Sequence, residues 1–200
     1  MSLVAHTKIK TRTLKGFSLG EVLLSAFVLT AGLLAITALI SSSLRSSLGI
    51  GDSIIAVGLS QEGIELVRNA RDNAWASGSA DGFTKFSSHK HCRINYNSNP
   101  LSALDCNNDS SRPSVQPGRY RLQYTGGLYS HPIIAPSSAR FSRYIYIDYN
   151  AGQKTALVKS FVYWGWGATV PANIENGISS ACTIQNKCVF TEVFLTNWRN

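Results

Sequence analysis

Apolar residues dominate the start of this chain and then thin into two different rhythms. Val22 to Ile40 is nineteen residues without a charge, which as a helix extends roughly 28 Å and matches the hydrocarbon core of a bilayer. The pattern therefore predicts a membrane-spanning helix over 22–40, inside a longer helix over 17–74. Residues 41–51 are rich in serine and carry Arg45, Gly49 and Gly51, so the chain leaves lipid there and a bend or break is expected. From Ile54 a helical period resumes, with Ile55, Ala56, Leu59, Gly63, Leu66, Val67 and Ala70 on one stripe that should pack on a sheet. Gln61, Glu65, Arg68 and Asp72 form the opposite, solvated wall, with Glu65 and Arg68 spaced for an ion pair. Ile64 interrupts that wall and Glu62 borders the stripe, through imperfect amphipathicity or through contact with a neighbouring subunit.

Beyond Trp75 the period changes to that of strands. Trp75 to Gly82 reads as a linker, and residues 83–117 as turn-rich with short strand-like fragments such as Arg93 to Tyr96. Strands are expected at Arg119 to Tyr124, Phe141 to Tyr149, Lys154 to Trp164 and Cys188 to Trp198. The second and third join as a hairpin, and Ala156, Val158, Val162 and Trp164 supply a core face. The predicted fold class is α+β: a long N-terminal helix whose second half packs on an antiparallel sheet formed by the β-rich domain, residues 75–200.

Composition refines this picture at two points. The net charge is +8, yet Lys8, Lys10, Arg12 and Lys15 all precede the apolar run, and without those four the remainder carries +4. They fit the excess of cations on the cytoplasmic side of a span, which places the folded domain outside. There Cys92, Cys106, Cys182 and Cys188 meet an oxidising compartment, and an even count favours disulfides. The local pairings Cys92 with Cys106 and Cys182 with Cys188 are preferred, with two other connectivities open. A four-thiolate zinc site lacks the C-x-x-C spacing it would need.

Glu21 stands at the entrance of the span, where a carboxylate in lipid requires a partner. The stretch Gly16-Phe17-Ser18-Leu19-Gly20-Glu21 resembles the processing site of type IV prepilins and pseudopilins, with Gly before the cut, Phe after it and Glu at the fifth mature position. The segment Gln61 to Trp75, with the terminal LTNWR, is similar to minor pilins of the pilus modification group. The resemblance implies a pilin-like fold and a cytoplasmic leader, residues 1–16, removed by a prepilin peptidase that methylates the amine of Phe17. It implies assembly through Glu21, with membrane lipid, an inner-membrane assembly platform and other pilin subunits as partners, and a final place in an extracellular pilus. The proline that many members carry at the twenty-second mature position is Ala38 here, which weakens the expectation of a helix break at that point. A type II secretion pseudopilin shares the same chemistry and is the alternative.

Enzyme and binding-module readings are weaker. His6, His89, His91 and His131 are scattered, no G-x-S-x-G or H-E-x-x-H pattern occurs, and no cofactor is implied. His89 and His91 beside Cys92 suggest a metal ligand pair, but exposed, satisfied histidines fit the surrounding residues better. Arg119, Arg121, Arg140 and Arg143 interleave with Tyr120, Tyr124 and Tyr144, the composition of a nucleic-acid or surface-binding patch. Outward positions on alternating strands explain the same pattern more simply.

Overall fold

The computed structural model describes residues 16, 18–79, 82–83, 90–96, 104–107, 112–134 and 136–197. Its first element is one helix, α1 (Leu19–Ala76), of 58 residues. Strands β1 (His91–Ile94), β2 (Leu104–Asn107), β3 (Arg121–Thr125), β4 (Leu128–Ser130), β5 (Phe141–Asn150), β6 (Thr155–Trp164) and β7 (Cys188–Thr196) follow. The α+β layout read from the sequence is therefore the one observed. Contacts divide the chain into two units, one ending at Ser47 and one spanning Leu48–Asn200.

In the first unit α1 begins at Ser18, whose carbonyl accepts from the amides of Glu21 and Val22. The apolar run that follows is wholly exposed. Helical pairing continues through Gly49 and Gly51, so the expected break is absent. Isolated glycines cost a helix only about 1 kcal/mol each, too little to end one of this length.

In the second unit the sheet is antiparallel throughout, with β5 at its centre. Along one edge β5 pairs all ten of its residues with β6, Phe141 opposite Trp164 and Asn150 opposite Thr155, and β7 lies beyond β6. The other edge is shared. Its first residues, Phe141 and Ser142, pair with β3, which forms a hairpin with β4. Farther along, Ile145 and Tyr146 pair with β1, which is flanked by β2. Gly126 and Gly127, at φ 62° and 87°, close the β3–β4 hairpin, as a two-residue turn with positive φ at both positions requires.

The helix covers one face of this sheet. Ile64, Val67 and Ala70 pack with Ile94, Ile145, Ile147, Ala156, Val158 and Leu195, and Ala56 and Leu59 pack with Leu122, Phe141, Val162 and Trp164. All four expected core residues of β6 are buried. The other face is also covered. Tyr144, Tyr146, Phe161 and Tyr163 bury against Val170, Ile174 and the Cys182–Cys188 segment of the β6–β7 connection. Burial on both faces is why Phe141 to Ile147 is buried at every position, where a one-sided sheet would alternate.

The structure also revises the helix stripe. Ile64 is 3% exposed and belongs to the domain's own core, which answers both expectations for it, while Ile55 is 42% exposed. The buried arc is turned by about one residue and extends to Ala74 and Trp75. Trp75, expected to open a linker, ends the helix as a packed side chain edge-on to Phe83 with the Arg71 guanidinium over its ring. Within residues 83–117, strand β1 starts at His91 rather than Arg93, and β2 was not anticipated. The strand expected over Arg119 to Tyr124 is present as β3 but starts at Arg121, its first two positions lying in a 3-10 turn, Pro117–Tyr120, because Pro117 fixes its own φ and has no amide for a ladder. The last strand ends at Thr196, and Trp198 lies outside the described residues.

Candidate functional site

The N-terminal segment joins a capped helix start to a long apolar run. Ser18 occupies the N-cap position of α1, its Oγ accepting from the Gly20 amide at 3.2 Å while its carbonyl takes the first helical bonds. Ser18-Leu19-Gly20-Glu21 is thus the S-x-x-E pattern of a capped helix start, and Glu21 lies in the first turn where the helix dipole favours an anion. Glu21 and the residues after it are exposed. Gly16 is described and exposed, whereas Phe17 lies outside the described residues.

Polar groups within the apolar run are satisfied by the helix itself. Ser25 Oγ donates toward the carbonyls of Glu21 and Val22 at 2.9 and 3.0 Å, Thr30 to Phe27 at 2.9 Å, and Thr37 to Leu34 at 2.9 Å. No hydroxyl in that run therefore enters an apolar medium unpaired, the condition a lipid environment imposes. Among the described residues one helix is long and apolar enough to cross a membrane, and it stands near the N-terminus. Glu21 is the acidic group of its first turn and is exposed.

The sheet domain places the remaining candidates. Cys92 bonds to Cys106 and Cys182 to Cys188, the local connectivity, and no cysteine is free. The first bridge ties β1 to β2, where Cys92 and Cys106 are register partners. The second ties the β6–β7 connection to the first residue of β7.

Most of the candidate arginine and tyrosine residues are buried or paired, and Tyr124 and Arg140 are the ones left well exposed. Tyr120, Tyr144 and Arg143 are fully buried, and burial raises the hydroxyl pKa of Tyr120 and Tyr144 far above its ordinary value. Arg119 pairs with Asp105 at 2.8 Å and Arg140 with Asp52 at 2.7 Å, and Arg121 turns toward the Pro136 carbonyl. Alternation assigned these residues outward positions, yet Arg143 has the same strand phase as Phe141, Ile145 and Ile147 and points at the helix. That phase was readable in the sequence.

What Arg143 does there is a role the sequence did not reveal. Its Nη1 donates to Glu62 Oε1 at 2.9 Å and lies 3.4 Å from the Leu59 carbonyl, while Nη2 donates to the Ile94 carbonyl at 2.7 Å. One guanidinium thereby joins α1, β1 and β5. Burial lowers its pKa and the Glu62 carboxylate opposes that shift. Beside it Ser60 Oγ donates to the Ser160 carbonyl at 2.8 Å. Glu62 at the border of the stripe was the available signal, and its partner is within the chain.

His89 lies outside the described residues, and His91 corrects the expectation of exposure, being 4% exposed. Tyr144 Oη donates to the Glu175 carbonyl at 2.7 Å, so His91 Nδ1, 2.8 Å from that oxygen, carries the proton of its own bond. His131 is buried with its Nδ1 3.3 Å from the Arg121 carbonyl. Burial first, then the charges of Arg143 and Arg93, holds its pKa well below the ordinary histidine value.

Comparison with family models, with characterised proteins and with solved structures finds no match.

Proposed function

We propose that this protein is a structural subunit of a type IV pilus, a minor pilin processed by a prepilin peptidase and held in the inner membrane until it joins or primes a helical fibre. The observation that carries the reading is the continuity of three features: the Gly16 to Glu21 hexapeptide, an exposed apolar run with no unpaired hydroxyl, and one unbroken helix into a disulfide-bonded sheet domain. The pilin-like character of the fold is an analogy of layout.

In this reading residues 1–16 remain in the cytoplasm, the cut falls after Gly16, and Phe17 acquires a methylated amine. That amine is a cation four residues from Glu21. Within lipid or a fibre core the two charges neutralise each other between adjacent subunits, since a lone charge there costs several kcal/mol. The exposed apolar half of α1 then exchanges lipid for the equivalent helices of its neighbours, leaving the sheet domain on the fibre surface.

The test combines the two ends of this chemistry. Mass spectrometry of the membrane and fibre forms should find methylated Phe17 at the N-terminus, and Glu21→Ala should be inserted and cleaved yet depleted from sheared fibres. Ser25→Ala, whose hydroxyl bonds only to its own helix, should assemble as wild type does. An uncut leader on assembled protein, or equal fibre incorporation of Glu21→Ala and wild type, would overturn the proposal.

A further inference from the structure

The β3–β4 hairpin presents two tyrosines to solvent in a fixed arrangement. Tyr124 and Tyr129 are register partners, their ring centroids 4.9 Å apart and their planes at 49°. Tyr129 also rests edge-on against Phe141 at 5.4 Å, and Phe141 is 1% exposed. The pair is thus anchored in the core through one ring while the other, Tyr124, stays 63% exposed. Facing them across a cleft of about 340 Å³ are Pro136, Ser138 and Arg140, with Leu122 and Gln123 completing the lining. That volume is at the small end of the range of about 300 to 1,000 Å³ typical of ligand sites.

The cation that lines the cleft is electrically balanced by a neighbouring carboxylate. Arg140 lies 2.7 Å from Asp52, the guanidinium side chain 61% exposed and the carboxylate side chain 17%. The pair offers donors and acceptors with no net charge, and the Gln123 amide and the Ser138 hydroxyl can each both donate and accept. An aromatic platform beside such a rim matches a ligand with one apolar C–H face and a periphery of hydroxyls that both donate and accept. We infer that this cleft binds a neutral sugar ring, stacked on Tyr124 and held at its edge by Gln123, Ser138 and the Arg140–Asp52 pair.

The charge balance selects this class over a polyanion. Single-stranded nucleic acid would also stack on Tyr124, but its phosphates draw affinity from uncompensated cations. Among the described residues lining the cleft, Arg140 is the cation, and Asp52 offsets it. The site lies within Leu48–Asn200, and its test does not depend on fibre assembly.

Full-length protein in a sugar-free zwitterionic detergent should retain neutral oligosaccharides of hexose and N-acetylhexosamine on an array. Binding should be insensitive to salt and weakened about tenfold or more, equivalent to about 1.4 kcal/mol, by Tyr124→Ala. Gln123→Ala should weaken it less, and Tyr96→Ala, another exposed tyrosine outside this lining, should leave it unchanged. Thermal melting of each variant verifies that the fold is intact. Failure to retain any neutral glycan overturns the inference, as does equal retention by Tyr124→Ala. Preference for an oligo-dT probe whose retention falls steeply with salt would instead assign the cleft to nucleic acid, and retention of sialylated glycans alone would overturn the neutral class.

Discussion

Single residues decide how the helix is held on the sheet. Arg143 is fully buried and has one carboxylate partner, Glu62, whose side chain is 41% exposed. Removing the partner is therefore worse than removing both. Glu62→Ala leaves a buried guanidinium without its counter-charge, for which a loss of about 3 kcal/mol is expected. Glu62→Ala with Arg143→Met, which replaces the charge by an apolar side chain of similar length, should recover much of that loss. Denaturant melts of both variants check the order, and a double variant less stable than Glu62→Ala would contradict it. His131 supplies a second residue-scale expectation. Its folded pKa lies well below the ordinary value because of burial and the facing Arg143, Arg93 and Arg119. The unfolded chain takes up the proton below about pH 6.5 and the folded chain does not, so stability falls as the pH drops below that value. Unfolding free energy measured from pH 7.5 down to pH 5 should show this slope, and His131→Gln should flatten it.

At the scale of elements, α1 carries glycines whose surroundings differ sharply. A Cβ at Gly63 would collide with Ser160 Oγ and sit 3.0 Å from Ile145 Cδ1 and 3.2 Å from Arg143 Cδ, whereas one at Gly58 would meet nothing within 4 Å. Gly63→Ala should destabilise by about 1 to 3 kcal/mol through overpacking, despite the better helix propensity of alanine. Gly58→Ala should stabilise by up to about 1 kcal/mol, since only propensity changes there. Paired thermal melts read both signs. The same contrast explains what was legible in the sequence. The apolar run, the resumed period after Ile54 and the β5–β6 hairpin are long, regular patterns, and each formed the expected element, with the buried arc of the helix turned by about one residue. The 3-10 turn before β3, the two-residue β3–β4 hairpin and the short β2 were not legible, because three or four residues carry too little periodicity to distinguish strand from turn. The proposed processing site at Gly16 to Glu21 rests on a local sequence motif. The Arg143 lock and the tyrosine cleft were not legible, since each joins residues far apart in the chain.

For the whole molecule, the distribution of burial separates the packed core from the exposed apolar run. Among the described residues every buried side chain lies at or after Ala56, and the exposed large apolar residues from Leu19 to Val57 crowd onto α1. Both disulfides and all seven strands fall within the unit Leu48–Asn200. The core among the described residues is therefore built from Ala56 onward, while the run able to cross a membrane keeps its apolar surface exposed. Residues 48–200 expressed alone in an oxidising compartment should be soluble without detergent and melt cooperatively, with a midpoint within a few degrees of the sheet domain in the full-length protein. They keep Asp52 for Arg140, Glu62 for Arg143 and the buried arc of the helix. Beginning the fragment at residue 77 should abolish folding, because Ile64, Val67 and Ala70 would no longer cover Ile145, Ile147 and Val158, and that apolar face of the sheet would be left in water. Circular dichroism melts of the two fragments decide the matter. A cooperative transition in the shorter one would mean that the sheet and its covering loop hold together without the helix, and an aggregated longer one would mean that the first unit is needed for folding after all.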